Sequence, residues 1–171
     1  MKPPNELPED VETAIARGYA ERDRSNMAPT IELFLQLLDL HPGHPTLLYE
    51  AGGAYDTAGE GAVAEEYYRR ALDGGLDGDR HRRCLLQLGS TLRNLERFEE
   101  SIAVLEQARV AYPHSDALRV FHALSLHAAG KTDAALAESL WLIADRIDSD
   151  DIRRYHAALM GNANHLASTN R

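Results

Sequence analysis

Apolar residues recur at i, i+3 and i+4 along almost the whole chain, and no stretch alternates apolar and polar residues over five or more positions. That is the helical period rather than the strand period, so the chain is predicted to be all-α. Short polar or glycine-rich breaks divide the pattern: "RDRSN", "HPGHP", "TAGEG", "DGGLDGD", "NLERF", "YPHS", "AAGKT" and "DSDD". The segments between them have the length of ordinary globular helices, roughly a dozen residues. Asp10, Ser25, Asp79 and Ser115 stand where an N-cap oxygen would accept a backbone N–H bond, and Gly74 stands where a C-terminal glycine would. The first ten residues, rich in proline and charge, read as a flexible tail.

The helices repeat in pairs. In "LLQLGSTLRNLERFEESIAVLEQARVAYP", Leu85, Leu88, Gly89, Leu92, Ser101, Leu105, Ala108 and Pro113 fall on the spacing W-x2-L-G-x2-Y, A-x3-F-x2-A and a closing proline. Stepping back 37 residues, the slots hold Leu48, Ala51, Gly52, Tyr55, Ala64, Tyr68, Ala71 and Leu76. A further 34 gives Ala14, Arg17, Gly18, Glu21, Thr30, Phe34, Leu37 and Pro42. Forward by 34, the slots hold Arg119, His122, Ala123, Leu126, Ala135, Ser139, Leu142 and Ile147, and Gly130 matches Gly59 in the turn. Paired helices 8 to 10 Å apart need small side chains where their axes come closest. Gly18, Gly52, Gly89 and Ala123 are expected to face Thr30, Ala64, Ser101 and Ala135.

This pattern resembles the tetratricopeptide repeat. The resemblance implies a right-handed α-solenoid of about four repeats, near 11–44, 45–81, 82–115 and 116–149, following the tail over 1–10. Residues 150–171 would supply a capping helix and a short tail, with Ile152, Tyr155, Leu159 and Leu166 on the packing face. The segments "GSTLRNLERFEESIAVLEQA" and "DIRRYHAALM" are also similar to a small bacterial tetratricopeptide subfamily held to self-associate, which implies a homodimer.

The same resemblance implies a non-enzymatic module that binds a protein or peptide segment in a concave groove lined by the first helix of each pair. Carried onto this sequence, the groove positions are Tyr19, Arg22, Tyr49, Asp56, Arg83, Gln87, Ser90, Arg93, Asn94, Phe121, Leu124 and His127. The alternative is a structural homodimer with no separate ligand. The carboxylate clamp of some chaperone-binding relatives is not implied, because its slots hold Ile15, Tyr19, Glu50 and Arg83.

Charge changes the picture locally. Arg80, Arg82 and Arg83 open a helix, where positive charge opposes the helix dipole. With Arg93 they could grip an acidic segment; otherwise they are solvated, with Asp77 and Asp79 offsetting them. Val120, Phe121 and Leu124 form an apolar run that needs cover, for which the closing helix is the first candidate and a second subunit or a ligand the others.

Overall, 27 acidic against 18 basic residues give a formal charge of −9, which opposes the electrostatics of nucleic-acid binding. One cysteine, no export-like N-terminus and no apolar run of roughly 20 residues make a cytoplasmic protein without a membrane span the expectation. No cofactor or metal is expected. His41 and His44 lack further ligands nearby, "DGGLDGD" has Cys84 where a calcium loop closes with glutamate, and Cys84 itself reads as a small core residue.

Overall fold

In a computed structural model describing residues 7–169, the described residues form α1 (Glu9–Ala20), α2 (Ala28–Leu40), α3 (Pro45–Thr57), α4 (Gly61–Asp73), α5 (Gly78–Asn94), α6 (Phe98–Ala111), α7 (Asp116–Ala128), α8 (Thr132–Arg146) and α9 (Asp150–Thr169). The fold is an all-α helical repeat. No helix among these residues is long and apolar enough to cross a membrane. The chain divides into two compact units, Met1–Leu95 and Glu96–Arg171, and the division falls inside the third expected repeat.

The helix starts differ from the expected caps. α1 begins at Glu9, so Asp10 lies inside its first turn. Met27 rather than Ser25 precedes α2, because Ser25 is drawn into a turn by its own bonds to Asp23. Asp77 precedes α5 and leaves Asp79 in the first turn, whereas Ser115 occupies the N-cap position of α7 without its side chain making the expected capping bond. Gly74 ends α4 with a right-handed φ of −73°, and the left-handed turn comes at Gly75. Of the expected tail, residues 1–6 lie outside the described residues, while Leu7 is buried.

In the first unit, Leu7, Val11 and Ile15 of the N-terminal segment pack with Phe34 and Leu37 of α2 and Leu47, Ala51 and Ala54 of α3. The glycine slots behave as close-approach points, but toward different neighbours from those expected. A side chain at Gly52 would meet the Tyr68 ring at 2.8 Å and Tyr67 Cβ at 3.2 Å; one at Gly18 would meet Leu33 at 2.7 Å and Phe34 at 3.5 Å. The glycines therefore make room for large residues of the second helix, not for the small slots Thr30 and Ala64. In the second unit Ser101 and Ser125 hydroxyls meet at 2.7 Å between α6 and α7, and Ile102, Leu126 and Ala135 form a small core.

The turn between paired helices preserves the register more faithfully than the signature residues do. Gly59, Glu96 and Gly130 all have left-handed φ, at 85°, 60° and 77°, and they are 37 and 34 residues apart. Around the first and last of these the backbone bonds match, Glu60 N–H donating to Tyr55 and Lys131 N–H to Leu126, both at 2.9 Å. These bonds satisfy helix-end carbonyls in the Schellman manner.

Three backbone positions carry stability predictions. Glu96→Gly relieves a left-handed side chain and is expected to raise unfolding free energy by about 1 kcal/mol in urea titration; unchanged or lower stability would contradict the turn's assigned strain. Gly52→Ala is expected to cost about 1 to 3 kcal/mol through overpacking. Gly161→Ala in α9, where nothing lies within 4 Å, should instead stabilise by about 0.5 to 1 kcal/mol.

Candidate functional site

α1, α3 and α5 bring a polar network together in the first unit. The Tyr19 hydroxyl donates to Glu50 Oε2, and the Tyr19 ring tilts against Phe34 at 6.1 Å with the Arg22 guanidinium 5.3 Å above it. Arg80 reaches across from α5 to bind both carboxylate oxygens of Glu12, at 3.0 and 2.7 Å, and its Nε lies 3.5 Å from Glu50 Oε1. Glu50 is buried, and burial raises its carboxyl above the ordinary value although Tyr19, Arg80 and Arg83 pull the other way. The Arg80 hydrogen bond holds Glu12 below its ordinary value. Glu12, Glu50 and Arg80 were absent from the expected groove list. Arg80 and Glu12 are 68 residues apart, so no local spacing announces them.

The expected groove residues of this unit separate into buried and open sets. Tyr49 is 2% exposed with its ring 6.3 Å from Tyr68, and burial pushes its hydroxyl up to about 12. Asp56 accepts from Tyr68 at 3.3 Å and from the Thr91 hydroxyl at 3.1 Å, so it joins α3, α4 and α5. Both are packing residues here, because α5 lies over them. On α5, Arg83 is exposed with Asp79 3.8 Å away, Arg82 donates to Asp79 at 2.7 Å, and Arg93 donates to Ser90 at 3.1 Å. Burial lowers the pKa of Arg93; Gln87 is half-buried and Asn94 exposed.

In the second unit, α7 and α8 enclose an apolar groove of about 500 Å³ lined by residues including Val120, Leu124, His127, Leu136, Ser139 and Leu142. Val120, Leu124 and Leu136 remain 42%, 45% and 50% exposed. Two ion pairs join the first turn of α7 to the last turn of α8, Arg119 to Asp145 at 2.7 Å and Arg146 to Asp116 at 2.8 Å. Beneath them Arg109 donates to His122 Nδ1 at 2.7 Å and pairs with Glu138 at 2.9 Å. Arginine has no acceptor, so this geometry assigns His122 a neutral ring with Nδ1 accepting. Burial and then Arg109 hold its pKa below the ordinary value.

Leu124 and His127 thus share one groove, while Phe121 is half-buried and does not line it. The closing helix does not cover this surface. α9 packs on α8, burying Ala163 and joining Trp141 Nε1 to Asn164 at 3.2 Å, and Val120 and Leu124 stay exposed. Tyr155, expected on its packing face, is 59% exposed. Among the described residues no group of three or more His, Cys, Asp or Glu side chains could hold a metal ion.

A family model described as Tetratrico peptide repeat matches residues 45–166. Over 92 residues the chain is 31% identical to human Protein O-mannosyl-transferase TMTC1, covering 54% of this chain but only a tenth of that protein's length. Among solved structures, MamA AMB-1 superposes with a TM-score of 0.65 at 18% identity, covering 92% of this chain and 90% of that one. YrrB, described as a TPR protein with an unusual peptide-binding site, superposes with a TM-score of 0.58 at 14% identity, covering 92% and 86%. At these identities the likeness concerns the fold alone.

The buried network sets a pH dependence. With Glu50 raised above 4.5 in the folded state, the fold retains a proton that the unfolded chain has released, so this group makes stability fall as pH rises above 4.5. Glu12 has the opposite sign: its contribution is present above 4.5 and is lost as pH falls through its lowered folded value. Urea midpoints of wild type and Glu50→Gln, measured from pH 4.5 upward, should therefore diverge in favour of the variant. Parallel curves would contradict the shift assigned to Glu50.

Proposed function

The chain belongs to the tetratricopeptide repeat family, and on that premise we propose that it is a protein-interaction module whose docking surface is the apolar groove between α7 and α8. The observation that carries this reading is the exposure of Val120, Leu124 and Leu136 around a single groove. Large apolar side chains clustered in water are costly, at about 25 cal/mol per Å² of apolar surface, and a partner that covers them recovers that energy. The surface is preformed, so binding requires little ordering of the chain. The module holds a protein or peptide segment and does no bond chemistry itself.

The electrostatics of the first unit favour the α7/α8 groove over the α5 face. Arg80 and Arg82 already meet carboxylates of the same chain, which leaves Arg83 as the more open member of the cluster expected to grip an acidic segment. A second reading, an interface between two copies, draws on Val120 and Leu124, which stand one helical turn apart on α7 and could be inserted into the groove of a second subunit.

Partner capture from lysate compares the surfaces. Leu124→Glu/Leu136→Glu should reduce recovery of partners at least tenfold, while Arg83→Glu/Arg93→Glu leaves it near wild type, with circular dichroism confirming helical content in each. The reverse ordering would move the docking surface to α5.

A further inference from the structure

The first unit contains a filled version of the groove that the second unit leaves open. α5 packs on α3 and α4: the Cys84 thiol lies 3.7 Å from the Tyr68 carbonyl oxygen, the Thr91 hydroxyl bonds Asp56 at 3.1 Å, and Thr91 and Leu95 lie against Gly61. Cys84, Leu88, Thr91 and Leu95 have the spacing i, i+4, i+7 and i+11, which is one stripe of an amphipathic helix.

The repeat register carries α3 and α4 onto α7 and α8 by 71 residues, as Gly59 onto Gly130. Tyr49, Asp56, Gly61 and Tyr68, on which α5 rests, then become Val120, His127, Thr132 and Ser139. All four line the open groove. Tyr49 is 2% exposed and its counterpart Val120 is 42% exposed, the difference expected between a bed with its helix and one without.

The helix next in sequence does not take this place. α9 reaches α8 through Asp133 and Trp141, and it packs where Ala137 is fully buried. The counterparts of these residues on α4 are Ala62, Glu66 and Arg70, all exposed. α9 thus occupies the face of α8 that the earlier repeat gives to solvent, and the bed facing away from it stays open.

Among the described residues, the large apolar side chains exposed outside the groove are Tyr19, Leu40, Val110, Ile147 and Tyr155, each on a different segment. A second copy therefore offers two such residues a turn apart only on α7, where the stripe begun by Val120 and Leu124 runs into His127 and Lys131 at i+7 and i+11 and so lacks the apolar length of the α5 stripe. We infer that the α7/α8 groove takes an amphipathic α-helix of a different protein, bearing apolar residues at i, i+4, i+7 and i+11. This deepens the reading of the groove as a docking surface and rests on it.

The test uses the full chain as bait for two displayed peptide libraries of equal length, one helix-favouring and randomised on a single stripe, the other proline-flanked and extended. The selected peptides are synthesised and titrated by fluorescence anisotropy, with light scattering on the unliganded protein. The expected result is selection from the helical library, with apolar residues on the stripe and a Kd weakened at least tenfold by Leu124→Glu and by the milder Leu136→Gln. Selection of extended peptides that remain sensitive to Leu124→Glu would overturn the helical occupant but keep the groove. Peptides insensitive to both substitutions, or none selected from either library, would overturn the groove reading as well. An unliganded dimer that Leu124→Glu converts to monomer would give the groove to a second copy instead.

Discussion

A tyrosine ring lying on a glycine holds the second helix pair together. The Tyr68 ring sits where a side chain on Gly52 would have to be, so α3 and α4 approach at a distance that any larger residue would prevent. Leu33 stands against Gly18 in the same way between α1 and α2, with Phe34 in ordinary contact beside it. Once two helices are paired this closely, their shared edge forms a bed that a third helix can enter. α5 fills the bed over α3 and α4, and the burial of Tyr68, Cys84 and Thr91 follows from that packing. A repeat built this way always leaves its last bed unfilled unless a later segment turns back into it.

Burying polar groups beside these beds is costly, and the first unit offsets that cost with partners drawn from distant parts of the sequence. Glu50 stays in the interior because Tyr19 donates to it and Arg80 lies beside it; Arg80 in turn is held by Glu12. In the second unit Arg109 serves both His122 and Glu138. These groups fix helices in place, and their donors are committed within the chain. The groove between α7 and α8 is by contrast lined largely by apolar side chains that stay exposed.

Much of the fold could be read from the sequence because close approach demands small residues at a fixed spacing, and Gly18 and Gly52 supply them. Their exact neighbours could not, since periodicity orders positions along a helix without saying which large residue of the opposite helix leans across. Tyr49 and Asp56 occupy groove positions of the repeat, yet α5 covers them; a position within one repeat does not reveal what the next lays over it. Arg80 and Glu12 meet only through tertiary folding. The departure of α9 did leave a signal in Ala137 and Trp141, which replace the Glu66 and Arg70 of the earlier repeat. Leu124 and His127 were identifiable as surface residues, whereas Leu136 belongs to the second helix of a pair, where the repeat has none of its groove positions.

The openness of the α7/α8 bed is the central claim, and it can be measured directly in solution. Methyl resonances of the isotopically labelled full chain, recorded with a soluble nitroxide, report how closely solvent approaches each side chain. The account predicts strong broadening of Val120, Leu124 and Leu136 and little for the fully buried Leu47 and Leu118. Equal protection of all five in the dilute, unliganded protein would mean that the bed is already filled and would contradict the account.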